Sequence, residues 1–318
     1  MTRKLPILLA GLLACTQSIA HEVPAKPETL SMPELIKAFN WDASKVEVTT
    51  EVVDEGFYVL FGLGGNIAVS SGDDGVLIVD DQMPDMWPKL KKAMRKQGDR
   101  DVDFAINTHW HFDHADGNLT LGKGDTWLVS HSTSRRMMQR DNVINLVGAA
   151  GLQEAYPDHA LPDITFEQSM EFHLNGEQVE LVHYGPAHTT GDTVVFFRGR
   201  NAVHMGDIFN NAGYPFIDAG NGGTLDGVLL TCRSVLERIN GDTVVIPGHG
   251  ALASYEDLEN YVDMLGIVYG EMRSMIAEGK SFEEIVAANI TAPWDEKMGN
   301  PAMFLNRAYV SLTTRYQE

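Results

Sequence analysis

Six consecutive residues, His109-Trp110-His111-Phe112-Asp113-His114, constrain this chain more than any other feature in it. They follow a short apolar run at 102–106 that reads as a buried strand. In extended backbone, side chains two positions apart point the same way, so His109 and His111 leave a strand end side by side. Asp113 and His114 come where the chain turns and face a second point beside the first. Imidazole nitrogens combined with a carboxylate suit Zn2+, and Fe or Mn can occupy similar cages. The bland alternative is a cluster of solvated loop histidines.

Three later residues supply what the motif lacks. His188 sits in Gly185-Pro-Ala-His-Thr-Thr-Gly-Asp192, Asp207 in His204-Met-Gly-Asp-Ile-Phe, and His249 in Ile246-Pro-Gly-His-Gly. Asp207 and His249 each follow an apolar strand directly, which is where open α/β sheets place their sites. Singly, each reads as a turn residue or a satisfied loop histidine; as a set they complete two shells around two ions. Thr189, Thr190 and Asp192 either fix histidine tautomers or form the turn itself. His183 and His204 lie in or at the ends of strands and read as structural, whereas His131 and His159 flank an insertion and are candidates to touch substrate.

Around the motif the chain alternates between strand and helix patterns. Apolar runs at 57–61, 66–70 and 76–79, divided by glycine turns, predict strands. A helix follows at 84–97 with a basic face of Lys89, Lys91, Lys92, Arg95 and Lys96, read as solvated. Strands return at 178–183, 193–197, 202–205 and 243–246, and a helix starting at Thr224 carries Leu225, Val228, Leu229, Cys232 and Val235 at helical spacing. That spacing makes Cys232 a core residue rather than a nucleophile or ligand. The segment 131–165 reads as mostly helix and loop, and the last seventy residues as helical, with capping boxes at Ser254/Asp257 and Ser281/Glu284. The pattern of strand, glycine turn, strand and acid at 66–80 recurs at 192–207, suggesting two similar β-rich halves that pack as two sheets with helices outside.

The N-terminus reads as an export signal over residues 1–20: Arg3 and Lys4, a short apolar stretch, then Ser18-Ile19-Ala20 as a cleavage site. The competing reading is a lipoprotein signal at Leu12-Leu13-Ala14-Cys15. Either way the expected compartment is periplasmic or secreted. Residues 21–45 follow as a leader segment with one short helix opened by Ser31-Met32-Pro33-Glu34. Beyond Cys15 one cysteine remains, so no internal disulfide can form. The formal charge of −20 repels nucleic acid and anionic lipid, and no apolar run reaches the length of a membrane span. The expected partner is a small molecule.

From about residue 50 to residue 252 the chain resembles the metallo-β-lactamase superfamily: the order His-x-His-x-Asp-His, then His, Asp and His matches the pattern of that family without a gap. The resemblance implies an α/β fold, a four-layer αβ/βα sandwich, as the core (50–252) of a metallo-hydrolase domain spanning 46–318, with a helical tail at 253–318. It also implies His109, His111 and His188 on one zinc, Asp113, His114 and His249 on the other, Asp207 bridging, and a hydroxide shared by the two ions as nucleophile, oriented by Asp113. The expected activity is attack on a small-molecule carbonyl, a β-lactam or lactone ring, an amide or an ester. Many β-lactamases of this superfamily carry Cys or Ser where Asp207 stands, and an Asp there is commoner in lactonases and in thioester hydrolases of the glyoxalase II type, whose basic C-terminal domain the tail here does not resemble. A metal-binding module without turnover is the alternative from another class. Substrate is expected between the glycine loop 62–66, the insertion 131–165 and the loop 210–223, against Trp110, Phe112, Met137, Tyr214 and Phe216.

Overall fold

Alternation of side chains along each strand decides how the layers stack. The computed structural model describes residues 27–99 and 101–314; the expected export signal, its cleavage site and Cys15 lie outside the described residues. Seven strands form one sheet in the order Ile164–Phe166, Trp127–His131, Phe104–Asn107, Gly75–Val79, Ile67–Gly72, Phe57–Phe61 and Thr49–Asp54. The first four are parallel and the remainder antiparallel. A second sheet of five runs Ser169–Leu174, Glu177–Val182, Val194–Phe197, Ala202–His204 and Val244–Ile246.

Residues two apart face the same layer. Phe57, Val59, Leu77 and Val79 point between the sheets, where they meet Val179, Leu181, Val195 and Phe197. Tyr58, Leu60, Val76 and Ile78 point the other way, onto helix Trp87–Lys96. On the far side Phe196, Val203 and Val245 pack against helix Leu225–Leu236. The result is helix, sheet, sheet, helix, the four-layer α/β sandwich expected. Cys232 lies fully buried in that outer helical core, and burial pushes its thiol up.

Helices Tyr255–Ala277, Phe282–Ala287 and Ala302–Thr313 extend the outer layer. Both predicted capping boxes are formed, at Ser254/Asp257 and Ser281/Glu284, as is the one at Ser31/Glu34. The basic helix is not wholly solvated: Lys89 Nζ donates to the carbonyls of Ala43, Ser44 and Val46, and ties the chain entering the sandwich to its first helix layer.

The segment 131–165 departs from its reading as helix and loop. It holds helix Ser132–Met138, but also strands Asn142–Asn145, Ala150–Gln153 and Ile164–Phe166. Ala150–Gln153 pairs with Asn142–Asn145 on one edge and, in parallel, with Thr29–Ser31 on the other. A pairing across more than a hundred residues leaves no periodic trace in a local window, and the glycines at 148 and 151 disguise the hairpin as a loop.

The two sheets meet around an aromatic contact, with the Phe57 and Phe197 ring centroids 4.6 Å apart. Replacing Phe197 by Ala should cost about 3–5 kcal/mol, read as a lowered midpoint in chemical denaturation; an unchanged midpoint would contradict this packing.

Candidate metal centre

All seven predicted ligands converge where the two sheets end on the same side. His109 and His111 follow strand Phe104–Asn107, and Asp113 and His114 lie in the helical turn Phe112–Ala115. From the second sheet come Asp207, in the turn after Ala202–His204, and His249, just beyond Val244–Ile246. His188 sits in the connection between Glu177–Val182 and Val194–Phe197. Three overlapping sets of donor atoms result: His109, His111 and His188; His109, His114 and Asp207; Asp113, His114 and His249, with the atoms of each set within 4.8 Å of one another.

The hydrogen bonds behind the ligands fix which imidazole nitrogen faces the centre. His111 Nε2 donates to Asp218 Oδ2 at 3.0 Å, and His188 Nδ1 to the Phe216 carbonyl at 2.7 Å. His114 Nδ1 donates to Asp80 Oδ2 at 2.7 Å. Thr108 gives its hydroxyl proton to Asp80 Oδ2, so its oxygen accepts from His109 Nδ1 at 3.0 Å. In each neutral ring the nitrogen facing the centre is then a lone pair.

Those lone pairs crowd one another. His111 Nδ1 lies 2.9 Å from His188 Nε2, and His114 Nε2 lies 3.2 Å from His249 Nε2 and 3.0 Å from Asp207 Oδ1. His109 Nε2, fully buried, has no hydrogen-bond partner among the described residues. Asp207 reaches both halves, with Oδ1 3.5 Å from His249 Nε2 and Oδ2 3.7 Å from His188 Nε2. Imidazole nitrogens and carboxylates this close together in a buried place need positive charge among them, which bound cations would supply, so the donor set fits metal cations.

The electrostatics agree. Burial drives His109 far below the ordinary histidine range, with neighbouring His114, His188 and His111 adding to the effect. Burial alone would lower His249, yet Asp207 and Asp113 beside it raise it to about 10. Burial also opposes ionisation of Asp207, but His114 and His249 hold its carboxyl well below the usual carboxylate range. The two carboxylates therefore stay ionised in a buried place, as metal ligands must.

Close backbone approach supports the cage. A Cβ on Gly65 would lie 2.3 Å from the His114 ring, and one on Gly248 would lie 2.0 Å from Asp207 Oδ1. The glycine loop 62–66 therefore packs behind the centre rather than over a substrate. Asn66 joins the halves, donating to the carbonyls of Pro247 and Gly250 at 2.9 Å.

Several expectations are corrected by this geometry. Asp192 accepts from Thr189 N, Thr189 Oγ1 and Ala187 N, so Thr189 and Asp192 build the turn that presents His188 and do not touch a ligand ring; Thr190 Oγ1 is buried without a partner among the described residues. His131 stacks on His183 at 3.8 Å and donates from Nε2 to the Glu167 carbonyl, while His159 is exposed; neither reaches the cavity. His204, fully buried, contacts the Asn66 carbonyl. Of the five expected wall residues only Phe112 and Phe216 line the cavity over the centre. Trp110 is fully buried against His111, Met137 lies in the core beneath, and Tyr214 stacks on Phe304.

Two residues essential to the geometry, Asp80 and Asp218, were not among the candidates. Asp80 carried a signal, since it closes the same strand–turn–strand–acid pattern that Asp207 closes. Asp218 carried none. Its backbone N–H donates to the His188 carbonyl at 2.9 Å while its carboxylate holds His111, so it links two ligands.

A family model described as the metallo-beta-lactamase superfamily matches residues 61–254. Among curated proteins, the alpha subunit of 2,4-dinitroanisole O-demethylase from Nocardioides sp. (strain JS1661) is 23% identical over 186 residues, which is 57% of this chain and 52% of that protein. A probable hydroxyacylglutathione hydrolase of Schizosaccharomyces pombe is 27% identical over 168 residues, 52% of this chain and 54% of that protein. The chain thus spans about half the length of these curated relatives. Among solved structures, a metallo-beta-lactamase from Pontibacter korlensis superposes with a TM-score of 0.56 at 16% identity, covering 69% of this chain and 99% of the other. That likeness is one of fold.

Removing the anchor of His111 tests the lock. Asp218→Ala should weaken zinc binding about 10–100-fold, measured by competition with a chelating dye; unchanged affinity would show that Asp218 does not position the ligand.

Proposed function

This chain belongs to the metallo-beta-lactamase superfamily of metal-dependent hydrolases, and from that premise we propose that it hydrolyses a small, carbonyl-containing compound, a β-lactam- or lactone-type ring or an open ester. His109, His111 and His188 would hold one zinc, Asp113, His114 and His249 a second, with Asp207 between them. The observation that carries this reading is that the cage opens onto a cavity of about 370 Å3 bordered by His111, Asp113, Asp207 and His249. A structural site closes all its positions, whereas a catalytic one keeps a face for water and substrate.

Bound cations would supply a hydroxide near neutral pH and polarise the scissile carbonyl. The residues of the chain supply orientation. Asp113, whose Oδ2 lies 3.1 Å from His249 Nε2, stands at the cavity floor and accepts a hydrogen bond from the attacking water. Asn210 borders the same cavity; its Oδ1 accepts from Ala212 N at 2.8 Å, which leaves its NH2 group as a donor for the carbonyl oxygen.

A thioester hydrolase is the second reading, supported by Asp207 and by the likeness to a probable hydroxyacylglutathione hydrolase. Against a glutathione conjugate, with its two carboxylates, stands the cavity border, which includes no Lys or Arg. We further propose an exported protein, on the strength of Arg3, Lys4 and the Ser18-Ile19-Ala20 site.

Zinc-loaded protein should hydrolyse at least one of a β-lactam, a lactone and a thioester, and lose turnover on chelation. Asp113→Ala should keep the native circular dichroism and lose about 10²–10⁴ in kcat/KM; full activity in that variant would remove Asp113 from the chemistry. Tight metal binding with no turnover on any substrate would support the metal-binding module instead. Asn210→Ala should lower kcat about 10²–10³-fold, and a change in KM alone would assign Asn210 to binding only.

A further inference from the structure

We propose that the segment Met32 to Trp41 is a fixed roof that selects an uncharged, extended apolar group on the substrate. This rests on the hydrolase reading above and specifies what its substrate carries beside the scissile carbonyl.

The cavity over the metal centre has two unlike parts. Its floor is polar: cage residues with Asn210 at the edge. Its roof is Leu35, Ile36, Phe39 and Trp41, from a part of the chain outside the 61–254 match to the family model. The side walls add Ile144 and Leu146 from the hairpin of the insertion, and Met303 from the last helix, which also lies outside that match. The matched region thus provides the ligands and, with Phe112, Ile144, Leu146 and Phe216, part of the apolar wall, while the segments outside it provide the roof and Met303.

The roof is held in place on both sides. Strand Thr29–Ser31 pairs in parallel with residues 150–152, and the capping box of Ser31 and Glu34 starts helix Met32–Ala38 directly after it. Leu35, 1% exposed, packs on Gly151 so closely that a Cβ there would lie 2.5 Å from Leu35 Cδ2. Asn40, at φ 53, then turns the chain back, Trp41 N donates to the Ile36 carbonyl at 3.0 Å, and the indole meets Phe112 at 5.8 Å between ring centroids. Phe39 is left 48% exposed at the rim.

What such a space accepts follows from its border. With no Lys or Arg there, a carboxylate on the distal part of a substrate would lose its water without gaining a partner. The formal charge of −20 works against anions before they arrive. An alkyl chain or an aryl group gains from the same surface. The substrate class is therefore an ester or lactone with an uncharged apolar side group.

The test uses the zinc-loaded full chain and straight-chain hydroxamates from acetohydroxamate to octanohydroxamate, with binding read by calorimetry. Affinity should rise about fourfold per added methylene, and a terminal carboxylate on the longest member should abolish the gain. Trp41→Ala should flatten the dependence on chain length, Trp41→Phe should restore most of it, and Phe39→Glu, at the solvent-exposed rim, should weaken only the long members. Affinity independent of chain length, or improved by the terminal carboxylate, would overturn the roof. Chain-length-dependent binding without hydrolysis of any ester or lactone would instead overturn the hydrolase reading and leave the roof standing.

Discussion

The arrangement depends on hydrogen bonds made on the far side of the metal ligands. Asp80, Asp218, Thr108 and the Phe216 carbonyl each take a proton from one imidazole, which turns the other nitrogen of that ring inwards as a lone pair. Four rings so constrained, with His249 and two carboxylates beside them, bring ring nitrogens to 2.9–3.2 Å of one another in a buried place. The packed sandwich holds them there, and bound cations would supply the positive charge they need. Metal binding would for that reason stabilise the fold.

The sandwich supplies this rigidity through its topology. Ligands come from strand ends and turns of both sheets, so the distance between the two halves of the cage is set by the aromatic and branched side chains packed between the sheets. Asn66 pins the loop carrying His249 to the first sheet, and Asp218 pins the His188 turn to His111. A change in the inter-sheet core would therefore be felt at the centre.

The sequence made the ligands legible because metal chemistry allows few residue types and strand ends impose spacing. His109, His111, Asp113 and His114 are local, and His188, Asp207 and His249 stand in glycine-rich turns after apolar strands. The layers were legible from short apolar runs divided by glycine turns, such as 57–61 and 76–79, whose two faces meet different partners in the fold. What stayed hidden is long-range. Asp218 looks like any loop acid until folding places it 3.0 Å from His111. Within 131–165, strand Ala150–Gln153 pairs with Thr29–Ser31 near the N-terminus, and Trp110, Met137 and Tyr214 proved to be packing because an aromatic or thioether side chain beside a motif is apolar in either role.

The division of labour between a shared core and its additions accounts for why the cage alone does not name the substrate. In the proposed reading the floor of the cavity presents the attacked carbonyl to the centre, and Leu35, Ile36, Phe39 and Trp41 select what is attached to it. Both depend on the pair of cations proposed at the floor. Calorimetric titration of zinc into the metal-stripped full chain tests that most directly: two equivalents should bind tightly, with the His188→Ala protein retaining one of them. Absence of tight binding, or a single equivalent in the unaltered chain, would contradict the paired centre.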